Sequence, residues 1–204
     1  MENYIWSLDI STTNIGSALW NADGKLIELK HLELKIDKSV PVADRDIHKA
    51  EIFRKYCNDY KERIFNELNG EIEHIIVEEP LGGSNNANTV SLLYGFNGIC
   101  RYILYRIFDR YPMKISVYES RKLFCPELVN VRYKRNGDRV ETLSFPEKYR
   151  KEKKLYIWEK VCKLEPKIEW FYKKDSNQPK DICFDMSDSY AVGIAGLKKL
   201  SIIK

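Results

Sequence analysis

The stretch Tyr4-Ile5-Trp6-Ser7-Leu8-Asp9-Ile10-Ser11-Thr12-Thr13-Asn14-Ile15-Gly16 decides how the rest of the chain is read. Residues 4–9 form an apolar, strand-like run with one carboxylate inside it. An unpaired carboxylate in such a strand costs several kcal/mol, so Asp9 needs a cation or hydrogen bonds. A tight turn over 11–14 returns the chain into a second strand over 15–20. Asn21-Ala22-Asp23-Gly24 carries Asp-Gly hairpin chemistry, and residues 25–34 read as a third strand. The chain thus opens with three antiparallel strands.

Outward from that hairpin the periodicity changes. Residues 44–68 predict a helix, with Phe53, Cys57, Tyr60, Ile64 and Leu68 on one stripe and Gly70 expected at its left-handed cap. Residues 72–78 predict a strand whose Ile75-Ile76-Val77 run suits burial on both faces. A Gly/Asn-rich loop is expected over 80–88, a helix over 89–108 and a fifth strand over 113–118. The segment 121–150 has few periodic apolar residues and includes a basic hairpin around Asn136-Gly137. Helices are expected over 147–164 and 183–200, with a linker at 176–179. The order β-β-β-α-β-α-β, insertion, α implies a mixed five-stranded sheet, with the first, fourth and fifth strands parallel. One domain spans 1–204, with a basic insertion at about 121–150.

Composition narrows the function classes. No apolar run approaches the ~20 residues of a membrane helix, and the N-terminus runs straight into a strand without a basic leader. Five scattered cysteines without a C-x-x-C pair suggest reduced thiols in a cytoplasmic protein. The net charge of +4 is unevenly spread: residues 130–174 hold 14 Lys/Arg against 7 Asp/Glu, a local net of +7, so the remainder sums to −3. Such a zone suits a polyanionic partner.

Chemistry is concentrated at three separated places. Asp9 lies at the end of the first strand. Glu78-Glu79 closes the fourth; neighbouring strand residues face opposite ways, so one of the two can join Asp9. Asp185 and Asp188 stand three apart on the last helix and share a face, which Ala191 and Ala195 continue with small side chains, as close approach to a sheet requires. Ligands collect at the carboxyl ends of adjacent parallel strands in open sheets. Carboxylates gathered there repel one another unless cations separate them, and an all-oxygen donor set favours Mg²⁺, with Mn²⁺ as substitute. Two such ions about 3.5–4 Å apart serve in-line phosphodiester hydrolysis.

Asp9-Ile10-Ser11-Thr12-Thr13-Asn14-Ile15-Gly16, Ile76-Val77-Glu78 and Asp185-x-x-Asp188-Ser189-x-Ala191 resemble, in order and spacing, the motifs of the RuvC family of Holliday-junction resolvases, nucleases of the RNase H-like superfamily. The resemblance implies an α/β RNase H-like fold and Asp9, Glu78, Asp185 and Asp188 as catalytic metal ligands, with Glu78 preferred to Glu79. It further implies two ions per site, four-way DNA junctions as substrate, and a homodimer that pairs through the helix over 89–108. Lys153 and Lys154 fall where the family has basic residues near the scissile phosphate. Lys134, Arg135, Arg150 and Lys151 complete the expected nucleic-acid contacts, interleaved with Tyr133, Tyr149, Tyr156, Trp158, Trp170, Phe171 and Tyr172. Cations there would neutralise phosphates and rings could stack on unpaired bases, although Trp158 and Trp170 fit a core role. Neither a membrane nor a small-molecule cofactor is implied.

The first motif also resembles the phosphate loop of sugar kinases and actin-like ATPases. Those need a second domain, and no Gly-rich nucleotide loop follows a later strand here. An RNase H-like enzyme acting on RNA–DNA hybrids or structured RNA, and a non-catalytic junction-binding module, remain as alternatives. His31, His48 and His74 are read as structural or exposed.

Overall fold

The computed structural model describes residues 1–80 and 87–204, the side chain of Thr89 excepted. Residues 81–86, most of the expected Gly/Asn-rich loop, lie outside them. The described residues form seven strands and five helices: β1 (Glu2–Ile10), β2 (Asn14–Asn21), β3 (Leu26–Glu33), α1 (Arg45–Asn66), β4 (Gly70–Glu79), α2 (Ala87–Phe108), β5 (Met113–Ser116), α3 (Val117–Phe124), β6 (Val129–Tyr133), β7 (Arg139–Leu143), α4 (Lys153–Leu164) and α5 (Asp181–Lys199). The main sheet runs β3-β2-β1-β4-β5. Pairing is antiparallel for β1–β2 and β2–β3, parallel for β1–β4 and β4–β5. No described helix is long and apolar enough to cross a membrane.

Alternation along β1 divides the core between the two faces of the sheet. Tyr4, Trp6, Leu8 and Ile10 pack with Phe53, Cys57, Tyr60 and Ile64 of α1 and Phe96 and Cys100 of α2. Trp6 stacks on Tyr60 at 4.5 Å and meets Phe108 edge-on at 5.5 Å; each such pair adds about 0.5–1.5 kcal/mol beyond its burial. Ile5 of β1 and Ile76 of β4 face the other way, into a second cluster with Tyr190, Ala191, Val192 and Ala195 of α5 and Ile157 and Val161 of α4.

Three local expectations differ from the structure. The left-handed residue after α1 is Asn69 (φ 49°). Gly70 already belongs to β4 and is small for another reason: a Cβ there would lie 2.4 Å from the Tyr4 ring. The fifth strand stops at Ser116, whose Oγ accepts from the Glu119 N–H and caps α3. The helix expected over 147–164 begins only at Lys153, after a single 3₁₀ turn at Glu147–Tyr149. A continuous helix would place Arg150 one turn from Lys153 and Lys154, and like charges at that spacing repel.

The hairpin β6–β7 forms a separate two-stranded sheet. Its turn is closed by the Lys134 N–H donating to Asp138 O (2.9 Å) and the Gly137 N–H donating to Lys134 O (2.9 Å). Gly137 has φ 86°, a conformation glycine adopts freely.

Candidate active site

Parity fixes which acids meet. Asp9 follows Leu8 on β1 and Glu78 follows Val77 on β4, and Leu8 pairs with Val77. Asp9 and Glu78 share the face of Ile5 and Ile76, the face that α5 covers. Glu79 points the other way and pairs with Lys114 of β5 at 3.0 Å. From α5, Asp188 completes the group: carboxylate oxygens of Asp9, Glu78 and Asp188 all lie within 4.8 Å of one another. Asp185, one turn earlier, is not part of this threesome. It stands at its rim, where Lys154 Nζ lies 3.4 Å from Asp185 Oδ1 and 3.1 Å from Asp188 Oδ2.

The helix reaches the sheet because residues at the contact lack bulk. A Cβ on Gly193 would lie 2.5 Å from Trp20 Nε1 and 2.6 Å from Ser7 Oγ, and one on Gly196 would lie 2.1 Å from Ile76 Cδ1. Ala191 and Ala195, the small residues singled out from sequence, are buried in the cluster that also holds Ile76, and these two glycines extend the run of small residues on the helix. Ser7, fully buried in β1, pins the helix: its Oγ donates to Ser189 O (2.9 Å) and accepts from Trp20 Nε1 (3.0 Å). The hydroxyls of Ser187 and Ser189 donate within α5, to Phe184 O and Met186 O. All these buried polar groups are therefore satisfied.

Burial and crowding set the electrostatics. Burial, then the Asp188 charge, raises the Asp9 carboxyl to about 7, with Lys154 opposing. Burial, then Asp9 and Asp188, holds Glu78 well above the ordinary carboxylate range. Asp185 is also raised, chiefly by burial, against the pull of Lys154. Burial alone would lower the Lys154 ammonium; the charges of Asp188, Asp9 and Asp185 more than offset this and hold it above its usual range. A buried all-oxygen cluster whose acids resist ionising together has the chemistry of a hard-cation site. Asp9, Glu78 and Asp188 can supply its ligands.

Sequence reasoning missed Arg121. On α3, its charge lowers the pKa of Glu78, while its buried Nε has no hydrogen-bond partner. The S-x-x-E box at Ser116–Glu119 was the signal for the helix that carries it.

The expected nucleic-acid residues separate into two groups. Lys134 and Arg135 occupy the exposed turn of the β6–β7 hairpin. Arg150, Lys151, Lys153 and Lys154 line a cavity beside the acids. Trp158 and Trp170 are half-buried and meet edge-to-face at 6.0 Å, with Trp170 packed on the second core cluster.

No family model matches the sequence, and no curated protein matches it. Solved structures do. Thermus thermophilus RuvC in complex with a Holliday junction substrate superposes with a TM-score of 0.55 at 10% identity, over 94% of this chain and 91% of that one. Another Thermus thermophilus RuvC structure gives 0.54 at 10% identity, over 98% of both chains. The mixed sheet, its flanking helices and the near-complete overlap together establish that the chain has the RuvC-like form of the RNase H-like fold.

Proposed function

We propose that this protein is a divalent-metal-dependent, structure-selective endonuclease that hydrolyses DNA phosphodiesters at four-way junctions as a homodimer. The observation that carries the reading is the meeting of Asp9, Glu78 and Asp188 within 4.8 Å, on a fold like that of a protein solved with a Holliday junction. A module that only bound DNA would have no use for a buried anionic cluster, which repels phosphates.

Asp9, Glu78 and Asp188 would hold Mg²⁺ or Mn²⁺, with Asp185 available to a second ion. When bound, these cations supply Lewis-acid chemistry at the phosphodiester. Lys154 balances the acids before they load and then turns its ammonium to the phosphate that enters. The charge of Arg121 favours the ionised form of Glu78 against its burial, and so would help that carboxylate serve as a ligand. Arg150, Lys151 and Lys153 grip the backbone beside the cut, and Lys134 and Arg135 grip a more distant duplex arm. The dimer would form through α2, where Leu92, Ile99 and Tyr102 are exposed and Gly95 and Gly98 have open space around them, so a partner helix can come close.

The test is a labelled four-way junction, a duplex and an RNA–DNA hybrid, each incubated with Mg²⁺ or Mn²⁺ and either wild-type protein or Asp9→Asn. Paired nicks in the junction are expected from the wild type. Asp9→Asn should bind the junction and lose cleavage by on the order of 10³-fold or more. Cleavage of the hybrid with the junction left intact would move the substrate to RNA. No cleavage of any of the three would end the nuclease reading.

A further inference from the structure

Beside the carboxylates opens a cavity of about 700 Å³. Its walls are the segment leading into α4, the turn between Lys173 and Gln178, and Phe184 in the first turn of α5. The turn is firmly built. The Lys173 N–H donates to Gln178 O and the Lys180 N–H to Phe171 O, both at 2.8 Å, and Pro179 is buried beneath. Cys183 ties the turn to α5, its thiol donating to Phe171 O (3.0 Å) and accepting from the Phe171 N–H (3.3 Å).

The lining is strongly cationic. Arg150, Lys151, Lys153 and Lys173 face the space together with Lys154, against the single carboxylate of Glu152. Of these five cations only Lys154 has an ion-pair partner among the described residues. Unbalanced cations around a concave space call for an anion. The volume falls in the range that encloses a whole small ligand, so a phosphate alone would leave most of it unfilled. Phe184, which immediately precedes Asp185, offers a ring at the edge of the reaction site.

We infer that this cavity receives an unpaired nucleotide next to the scissile phosphate, its phosphate held by Arg150, Lys151 and Lys173 and its base stacked on Phe184. The inference rests on the nuclease reading above and adds how that site distinguishes a branch point from continuous duplex. Drawing a paired base out of a continuous duplex costs its full pairing and stacking, whereas a base pair at a branch point, where the helix is interrupted, opens at lower cost.

The experiment is a cycle between protein and DNA. Junctions carry an abasic residue at one or the other nucleotide flanking the cut, and binding and single-turnover cleavage are measured with wild type, Phe184→Leu and Phe184→Tyr. Leucine keeps apolar bulk under α5 without the ring. At one of the two positions, the abasic residue and Phe184→Leu should each weaken binding by about 5–50-fold, and together by no more than either alone. Phe184→Tyr should restore wild-type values on intact DNA. Lys173→Gln should weaken intact and abasic junctions by the same factor. If the abasic residue costs nothing at either position, or if its loss multiplies with that of Phe184→Leu at both, the cavity holds no base and the inference falls while junction cleavage stands. If wild-type protein neither binds nor cuts the intact junction, the nuclease reading itself fails and takes this inference with it.

Discussion

Gly16 and Asp185 compete for the same space: a Cβ on Gly16 would stand 1.9 Å from the Asp185 carbonyl oxygen. Gly16 pairs with Asp9 across the β1–β2 hairpin, so the absence of a side chain there lets the first turns of α5 settle directly over Asp9. Backbone is a stiff obstacle, and overpacking a tight contact costs roughly 1–3 kcal/mol. Gly16→Ala should therefore lower the thermal midpoint by about 2–10 °C. It should also weaken Mg²⁺ binding, read as a smaller rise in that midpoint on adding magnesium.

The raised acids make stability depend on pH in an unusual direction. Asp9 ionises at about 7 in the folded chain, against an ordinary value of 3.8. Between those limits the folded state keeps a proton that the unfolded state has released, so stability is lost as pH rises. Glu78 and Asp185, also raised, act in the same sense. In a chelator, the thermal midpoint should fall by about 5 °C from pH ~5 to pH ~7.5. Asp9→Asn should flatten that slope. Magnesium competes with protons for the same oxygens, so its stabilising effect should be larger at the higher pH. A midpoint that rises through this window in chelator would contradict the electrostatics of the cluster.

Lys134 and Arg135 sit on the exposed turn of a ribbon separate from the main sheet. If they meet only phosphates, replacing both with Gln should weaken binding to junctions of different sequence by one common factor. The slope of log affinity against log salt should fall by about 1.8, or 0.9 for each phosphate no longer neutralised. Anisotropy titrations at several salt concentrations read both quantities. An unchanged slope would remove the hairpin from the interface.

Leu92, Ile99 and Tyr102 recur along one exposed side of α2. In a dimer they are covered, and a carboxylate placed among them is buried without a partner. Ile99→Glu should shift sedimentation from dimer to monomer while the circular dichroism of the fold persists. On a junction, the paired nicks should then become independent single ones. A wild-type chain that sediments as a monomer at micromolar concentration would refute the dimer.

Much of this architecture was legible in the residues. The Asp23-Gly24 turn, with Gly24 at φ 77°, announced the β2–β3 hairpin. The Phe53-Cys57-Tyr60-Ile64 stripe announced α1; strand parity said that one of Glu78 and Glu79 joins Asp9, and the family resemblance chose Glu78. The failures share a cause. Short elements such as α3 carry too few turns to show a period, and only a cap at Ser116 marked it. The break before α4 was hidden because helix propensity is local, whereas the repulsion among Arg150, Lys153 and Lys154 depends on where the helix would put them. Gly193 and Gly196 take their meaning from the sheet they touch, which sequence alone does not place against them. Arg121 gained its meaning only from a neighbour more than forty residues earlier in the chain.

Asp188 arrives on α5, the last of the described helices to be made, while Asp9 and Glu78 belong to the first half of the chain. During synthesis the early strands can pair well before that helix leaves the ribosome, and until it does they hold only two of the three clustered acids. On the proposed function, a nascent or prematurely ended chain would lack the third acid, and cleavage would be gained in a single late event, when the final helix docks.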